Sequence, residues 1–140
     1  MKRKKRKRYK QRVKSIRSLR KTAWQLLSKI VRSKYSENGY GRCYTCTSVH
    51  PVSELQAGHA IGGRHNAVLF DEEILRSQCV RCNVFMRGNY PVFSARLVRE
   101  HGIEWWESKL KYSQEIKIYK RSDLEELIES YQRRLDAKGS

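Results

Sequence analysis

Gln78-Cys79-Val80-Arg81-Cys82-Asn83 sets two thiols on one short turn, and Cys43-Tyr44-Thr45-Cys46 repeats that spacing upstream. A Cys-x-x-Cys turn offers both sulfurs from one side of a tight backbone reversal. Two such turns therefore supply the four soft ligands of a closed tetrahedral zinc site. Cys43, Cys46, Cys79 and Cys82 are all the cysteines in the chain. A disulfide framework would use the same residues, but that device suits secreted domains, and no stretch reads as an apolar leader or a membrane span. Structural zinc is the expectation.

Between the two pairs lie Gly58-His59 and the Gly62-Gly63 step. Short strands are expected around 54–60 and 68–70, separated by the glycine loop, followed by a helical turn or two over 79–86 that stops at Gly88 before Pro91. That order places His59 on an extended segment facing Asn83 at the start of the helical turn. The proximity is an inference from the zinc staple.

Outside this core, Val13, Ile16, Leu19, Ala23, Leu26, Leu27, Ile30 and Val31 recur at helical spacing among lysines and arginines. They predict a basic amphipathic helix over 13–36, its stripe packed on the zinc module and Trp24 serving packing rather than base stacking. Downstream, 93–101 and 103–111 suit two helices joined at Gly102, with Trp105 and Trp106 in the core or at its rim. Ser122-Asp-Leu-Glu125 reads as a capping box opening a last helix striped by Leu124, Leu127, Ile128, Tyr131 and Leu135. The expected organisation is a basic tail over 1–12, the helix over 13–36, a zinc-bound core over 37–91 and helical support over 92–140. The class is α+β.

A chain of 140 residues with 39% hydrophobic content supports one compact domain with a modest core, which bound zinc would reinforce. The net charge of +17 is concentrated at one end: 16 of the 31 Lys and Arg fall in residues 1–36, which hold no Asp or Glu. Lys2, Arg3, Lys4, Lys5, Arg6, Lys7 and Arg8 form a run with almost nothing to bury, expected to be disordered when free. Such a run binds polyanions by releasing counterions, and it lacks the bulky apolar face of a membrane-surface helix. Nucleic acid is the expected partner.

Hydrolysing a phosphodiester needs an activated water and a means of stabilising the leaving oxygen. A neutral histidine can take the proton near pH 7, and a hard divalent cation on oxygen ligands can meet the phosphate. Leu55-Gln-Ala-Gly-His59, Arg64-His-Asn-Ala67, Phe70-Asp-Glu72, Gln78-Cys-Val-Arg-Cys-Asn83 and Gly88-Asn89 together resemble the NinG/Rap family of lambdoid-phage recombination endonucleases. Ser28-Lys-Ile-Val-Arg32 and Gly39-Tyr-Gly-Arg-Cys43 extend the resemblance upstream, so that it runs from about residue 20 to the C-terminus.

The resemblance implies an HNH, or ββα-metal, treble-clef-like core similar to that of the phage resolvase endonuclease VII. The implied activity is metal-dependent cleavage of branched DNA such as Holliday junctions, D-loops and flaps. It makes His59 the base, Asn83 a ligand of catalytic Mg²⁺ or Mn²⁺, and the four cysteines the zinc ligands. It also implies a phage-encoded protein working in the bacterial cytoplasm. Phage or host recombination proteins are further expected partners, and symmetrical junction cutting would favour a homodimer.

Two positions depart from the wider pattern. Gly58 stands where many HNH proteins carry a metal-binding Asp, and Ile74 stands where relatives often carry Asn. Asp71 is the candidate for the missing carboxylate, with Glu72, His65 and Asn66 in reserve; capping a turn or orienting an Arg is its alternative role. Arg64, Arg81 and Arg87 are candidate phosphate clamps. A non-catalytic zinc-stabilised DNA-binding protein and a sequence-preferring homing or restriction-type nuclease are the competing readings.

Deleting residues 2–12 removes nine Lys and Arg. DNA affinity should fall and its salt dependence should flatten, while the fold is kept. If about six of these charges displace counterions, their share of binding drops roughly 10³-fold between 50 and 200 mM salt. Equal slopes of log K against log salt for full-length and truncated protein would show that the tail does not engage DNA.

Overall fold

The computed structural model describes residues 13–62 and 66–138. The basic run Lys2 to Arg8, together with Arg64 and His65, lies outside these residues. Helix α1 (Ile16–Lys34) opens on Ser15, whose side chain accepts the Ser18 N–H. Its buried stripe is Leu19, Ala23, Leu27, Ile30 and Val31, as the helical spacing requires. Val13 and Ile16, expected to begin that stripe, are exposed because the helix starts beyond the one and at the other.

Three short strands follow, β1 (Ser36–Glu37), β2 (Tyr40–Arg42) and β3 (Val49–Pro51), paired antiparallel in that order. The first Cys-x-x-Cys forms the turn between β2 and β3. There the Cys43 N–H bonds to the Ser48 carbonyl, the Thr47 N–H bonds back to the Cys43 carbonyl, and Thr47 takes a left-handed φ of 65° to close the reversal.

A separate hairpin carries the functional segment. Strand β4 (Leu55–His59) pairs antiparallel with β5 (Leu75–Cys79), setting Leu55 opposite Cys79, Gly58 opposite Arg76 and His59 opposite Leu75. The second strand therefore falls at Leu75–Cys79 and not around 68–70. Asn66–Val68 and Glu72–Ile74 are single 3₁₀ turns, with Ala67, Val68 and Ile74 buried. Apolar content misled there: these side chains fill the core from turns. All of β5 is buried, and so lacks the alternation that marks a half-exposed strand.

After β5 the chain makes a wide helical turn over Arg81–Phe85, in which the Met86 N–H reaches the Arg81 carbonyl five residues back. It stops at Gly88, whose φ of +93° few other residues adopt, and whose N–H returns to the Cys82 carbonyl. Helices α2 (Tyr90–His101) and α3 (Ile103–Ser113) follow, broken at Gly102. Helix α4 (Arg121–Lys138) closes the domain along α1. Ser122 is not its cap: the Asp123 carboxylate accepts the Lys120 N–H, so the helix begins two residues earlier than the capping-box pattern suggests.

Two apolar clusters hold the layers together. Ala23, Leu27, Ile30 and Val31 of α1 pack with Ala57, Leu75 and Tyr131, joining α1 to the hairpin and to α4. Phe93 and Leu97 of α2 pack with Ala60, Ile61, Val68 and Ile74, with Trp105 and Trp106 at the margin. Leu27 is fully buried in the first cluster. Leu27→Ala should cost about 2–5 kcal/mol of stability, read as a lowered denaturation midpoint by circular dichroism; a midpoint equal to wild type would mean that α1 is not part of the cooperative core.

A four-cysteine centre beside a histidine groove

The hairpin brings the end of β5 against the β2–β3 turn, and the four cysteines converge. Their sulfurs all lie within 4.8 Å of one another, and Cys46 Sγ to Cys79 Sγ is 3.7 Å. Zn–S bonds of about 2.3 Å in a tetrahedron place sulfurs about 3.8 Å apart, so the cage fits zinc. The four are free thiols and not disulfides.

Burial pushes the Cys43 thiol up, but the Cys46 N–H and the Thr45 hydroxyl outweigh it and bring the pKa down to about 6. Burial pushes Cys82 up to about 12. Burial raises Cys79 as well, and a bound cation would favour the thiolate form of these raised thiols. Around the cage, Ser48 Oγ lies 2.8 Å from Cys46 Sγ and 2.7 Å from His50 Nε2, which gives His50 a supporting place in an outer shell.

Gln78 ties this centre to the rest. Its Nε2 donates to Thr45 Oγ1 at 3.1 Å and to the Gly88 carbonyl at 2.9 Å, bridging the first cysteine turn to the end of the second. Thr45 Oγ1 in turn lies 3.4 Å from Cys43 Sγ. The fully buried Oε1 of Gln78 has no conventional partner and lies where a Cβ on Gly58 would stand. A hydrogen of Gly58 occupies that direction instead, giving a Cα–H···O contact. This explains the departure at position 58: an Asp side chain has no room there.

His59 and Asn83 line one groove of about 660 Å³, bordered also by Trp24, Ser28, Arg32, Ser53, Gln56 and Leu69. The His59 ring stacks on Trp24, with centroids 4.6 Å apart and planes 17° apart. Its Nε2 lies 3.0 Å from the Leu69 carbonyl, which can only accept, so Nε2 carries the proton and Nδ1 keeps the lone pair. Burial lowers the His59 pKa below its usual value, against the raising effect of the carbonyl. Asn83 Nδ2 donates to Gln56 Oε1 at 2.8 Å, and Asn83 Oδ1 lies 3.2 Å from the position of a Cβ on Gly58. The amide is thereby oriented with its oxygen left as an acceptor beside β4.

The other sequence-derived candidates lie elsewhere. Asp71 caps the Glu73 N–H through Oδ1 at 3.1 Å and pairs with Lys109 through Oδ2 at 2.7 Å. Its turn-capping alternative is the one the geometry displays. Glu72 pairs with Arg134 of α4. Asn66 accepts from Arg20 at 2.7 Å and donates to the Lys117 carbonyl. Arg81 and Arg87 are exposed, Arg81 bordering the hollow next to His50. No carboxylate lines the groove among the described residues, so a hard cation finds one oriented side-chain oxygen there, that of Asn83, and not a complete cage.

Trp24, Ser28, Arg32 and Gln56 were not singled out as site residues from sequence. The i, i+4, i+8 spacing of Trp24, Ser28 and Arg32 on α1 was the available signal, since it sets them in one row on the helix surface.

Fold and site define a small α+β protein built on a four-cysteine cluster that could hold a metal ion such as zinc, with a histidine and an asparagine facing one groove. The family model described as Bacteriophage Lambda NinG protein matches residues 1–138, and the chain belongs to that family. No curated protein and no solved structure matches it. Among the described residues, no helix is long and apolar enough to cross a membrane.

Gly58→Ala should destabilise the fold by about 1–3 kcal/mol, the usual cost of overpacking a filled core, and Gly58→Asp should do no better despite restoring a common motif. Urea melts read both. An unchanged midpoint for Gly58→Ala would mean that the Gln78 amide moves freely. Zinc removal by a chelator should abolish cooperative unfolding, and retention of a cooperative transition without metal would remove the cage from the folding free energy.

Proposed function

We propose that this protein is a metal-dependent, structure-specific DNA endonuclease of HNH type, acting on branched recombination intermediates. The observation that carries the reading is the state of His59: a half-buried imidazole whose Nε2–H is spent on the Leu69 carbonyl and whose Nδ1 remains basic, in the groove that also holds Asn83. The Trp24 stack and the Leu69 bond fix the ring, so that Nδ1 can take a proton from water without rotating away. Arg32 and Ser28 at the groove wall suit the non-bridging oxygens of a phosphate.

A bound Mg²⁺ or Mn²⁺ would neutralise the phosphate and the leaving oxygen. The chain offers it the Asn83 oxygen, with Gln56 holding the amide; substrate oxygens and water would complete the shell. Asp71, committed to Lys109 and to the turn at Glu73, is assigned here to structure and not to the metal.

The decisive experiment incubates purified protein with labelled linear, flap, D-loop and four-way DNA, in Mg²⁺ or in EDTA. Mg²⁺-dependent cutting of branched substrates supports the reading, and binding without cutting under any metal supports the non-catalytic alternative. His59→Ala should lower cleavage by about 10² to 10⁴-fold with little change in DNA affinity. Because a lowered pKa keeps the base neutral to lower pH, the acid limb of the wild-type rate profile should lie below about pH 6.5. A limb above that value contradicts the role given to His59. Asn83→Ala should raise the Mg²⁺ concentration required, whereas Asp71→Ala should lower stability and leave the metal titration unchanged.

A further inference from the structure

On the other strand of the hairpin a second hollow of about 190 Å³ opens beside β5, bordered by Tyr35, Arg42, Tyr44, Arg76, Ser77 and Arg96 and by Cys43 of the cage. Its charge is unusual. Arg76 is only 8% exposed, yet among the described residues no carboxylate pairs with it. Its guanidinium donates through Nη1 to the Glu73 and Leu75 carbonyls, at 3.0 and 2.8 Å, and sits between the Tyr35 and Tyr44 rings at 5.5 and 5.4 Å from their centroids. Carbonyls and ring faces orient a guanidinium without neutralising it, and a buried charge ordinarily has an ionic partner.

Arg42 is exposed and bonds to the Thr47 carbonyl, while Arg96 is shared between the Tyr44 carbonyl and Glu100. Among the described residues the three guanidiniums thus meet one carboxylate, that of Glu100, beside the Cys43 sulfur. The Ser77 hydroxyl at the same wall is buried with no hydrogen-bond partner. The hollow has the volume of about six waters at ~30 Å³ each, enough for a phosphoryl group and too little for a nucleotide.

We propose that this hollow is a phosphate-binding site, and that its ligand is a backbone phosphate of a second DNA arm. The second clause rests on the endonuclease reading. Guanidinium planes recognise tetrahedral oxyanions through paired N–H donors, and aromatic faces hold those planes in place. Two phosphate sites on opposite strands of one hairpin would let the protein hold two arms of a branch, where a linear duplex fills only one.

The test uses zinc-loaded full-length protein labelled at arginine nitrogens, without added Mg²⁺, observed by NMR at the Nε–Hε groups of Arg42, Arg76 and Arg96. Inorganic phosphate, titrated at ionic strength held constant with chloride, should shift these three signals saturably. Arg42→Gln, at an exposed position on β2, should weaken that binding about tenfold, the worth of one charge-assisted hydrogen bond, with zinc content and circular dichroism unchanged. No saturable shift, or shifts of unaltered midpoint in Arg42→Gln, overturns the site. A four-way oligonucleotide lacking terminal phosphates should then move the same signals more than a linear duplex of equal length. Equal or absent shifts there leave a site for free phosphate and overturn the second-arm assignment. Neither readout needs cleavage, so loss of the endonuclease reading would appear separately, in the cleavage assay.

Discussion

Four thiols drawn within 4.8 Å of one another are the constraint on which the architecture hangs. They join the β2–β3 turn to the end of β5, beside the Tyr44 N–H bond to the Ser77 carbonyl, and so help fix where the β4–β5 hairpin sits. Gln78 extends the constraint inward. Its one amide group meets the first cysteine turn, Gly88 and Gly58 together. Metal binding, hairpin register and the identity of residue 58 are therefore one problem in packing. Any side chain at position 58 would have to displace that buried amide.

The groove shows how a small domain builds a site from parts that each serve another end. Trp24 belongs to the helix that roofs the hairpin, and the Leu69 carbonyl belongs to the turns crossing between β4 and β5. Together they hold the His59 ring from its face and from Nε2. Asn83 follows directly on a cage cysteine, so the cage sets its backbone while Gln56 sets its amide. The acidic residues between the strands do different work: Asp71 and Glu72 tie the turns to Lys109 and Arg134, clamping α3 and α4 to the core.

Positive charge is distributed with similar economy. The sequence concentrates it at the N-terminus, yet the folded domain also sets arginines at two hollows, Arg32 at the histidine groove and Arg42, Arg76 and Arg96 at the one beside β5. A polyanion approaching this domain meets two separate basic surfaces about one small sheet, in addition to whatever the tail contributes.

How much could be read in advance depended on whether a feature was local. The Cys-x-x-Cys pairs, the stripe of α1, the break at Gly102 and the final helix were legible because ligand spacing and a 3.6-residue period are properties of neighbouring residues. Pairing His59 with Asn83 in one groove was also within reach, since the cage forces the end of β5 toward β4. Three-dimensional packing decided the rest. Leu75–Cys79 is a strand although Val68 and Phe70 look more strand-like, because β5 is buried on every side and carries no alternation. Asp71 does not line the histidine groove but pairs with Lys109, distant in sequence. Arg76 came to lie buried between two tyrosines because β5 docks against the first cysteine turn, and no pattern of adjacent residues encodes which long-range partner a charge will find.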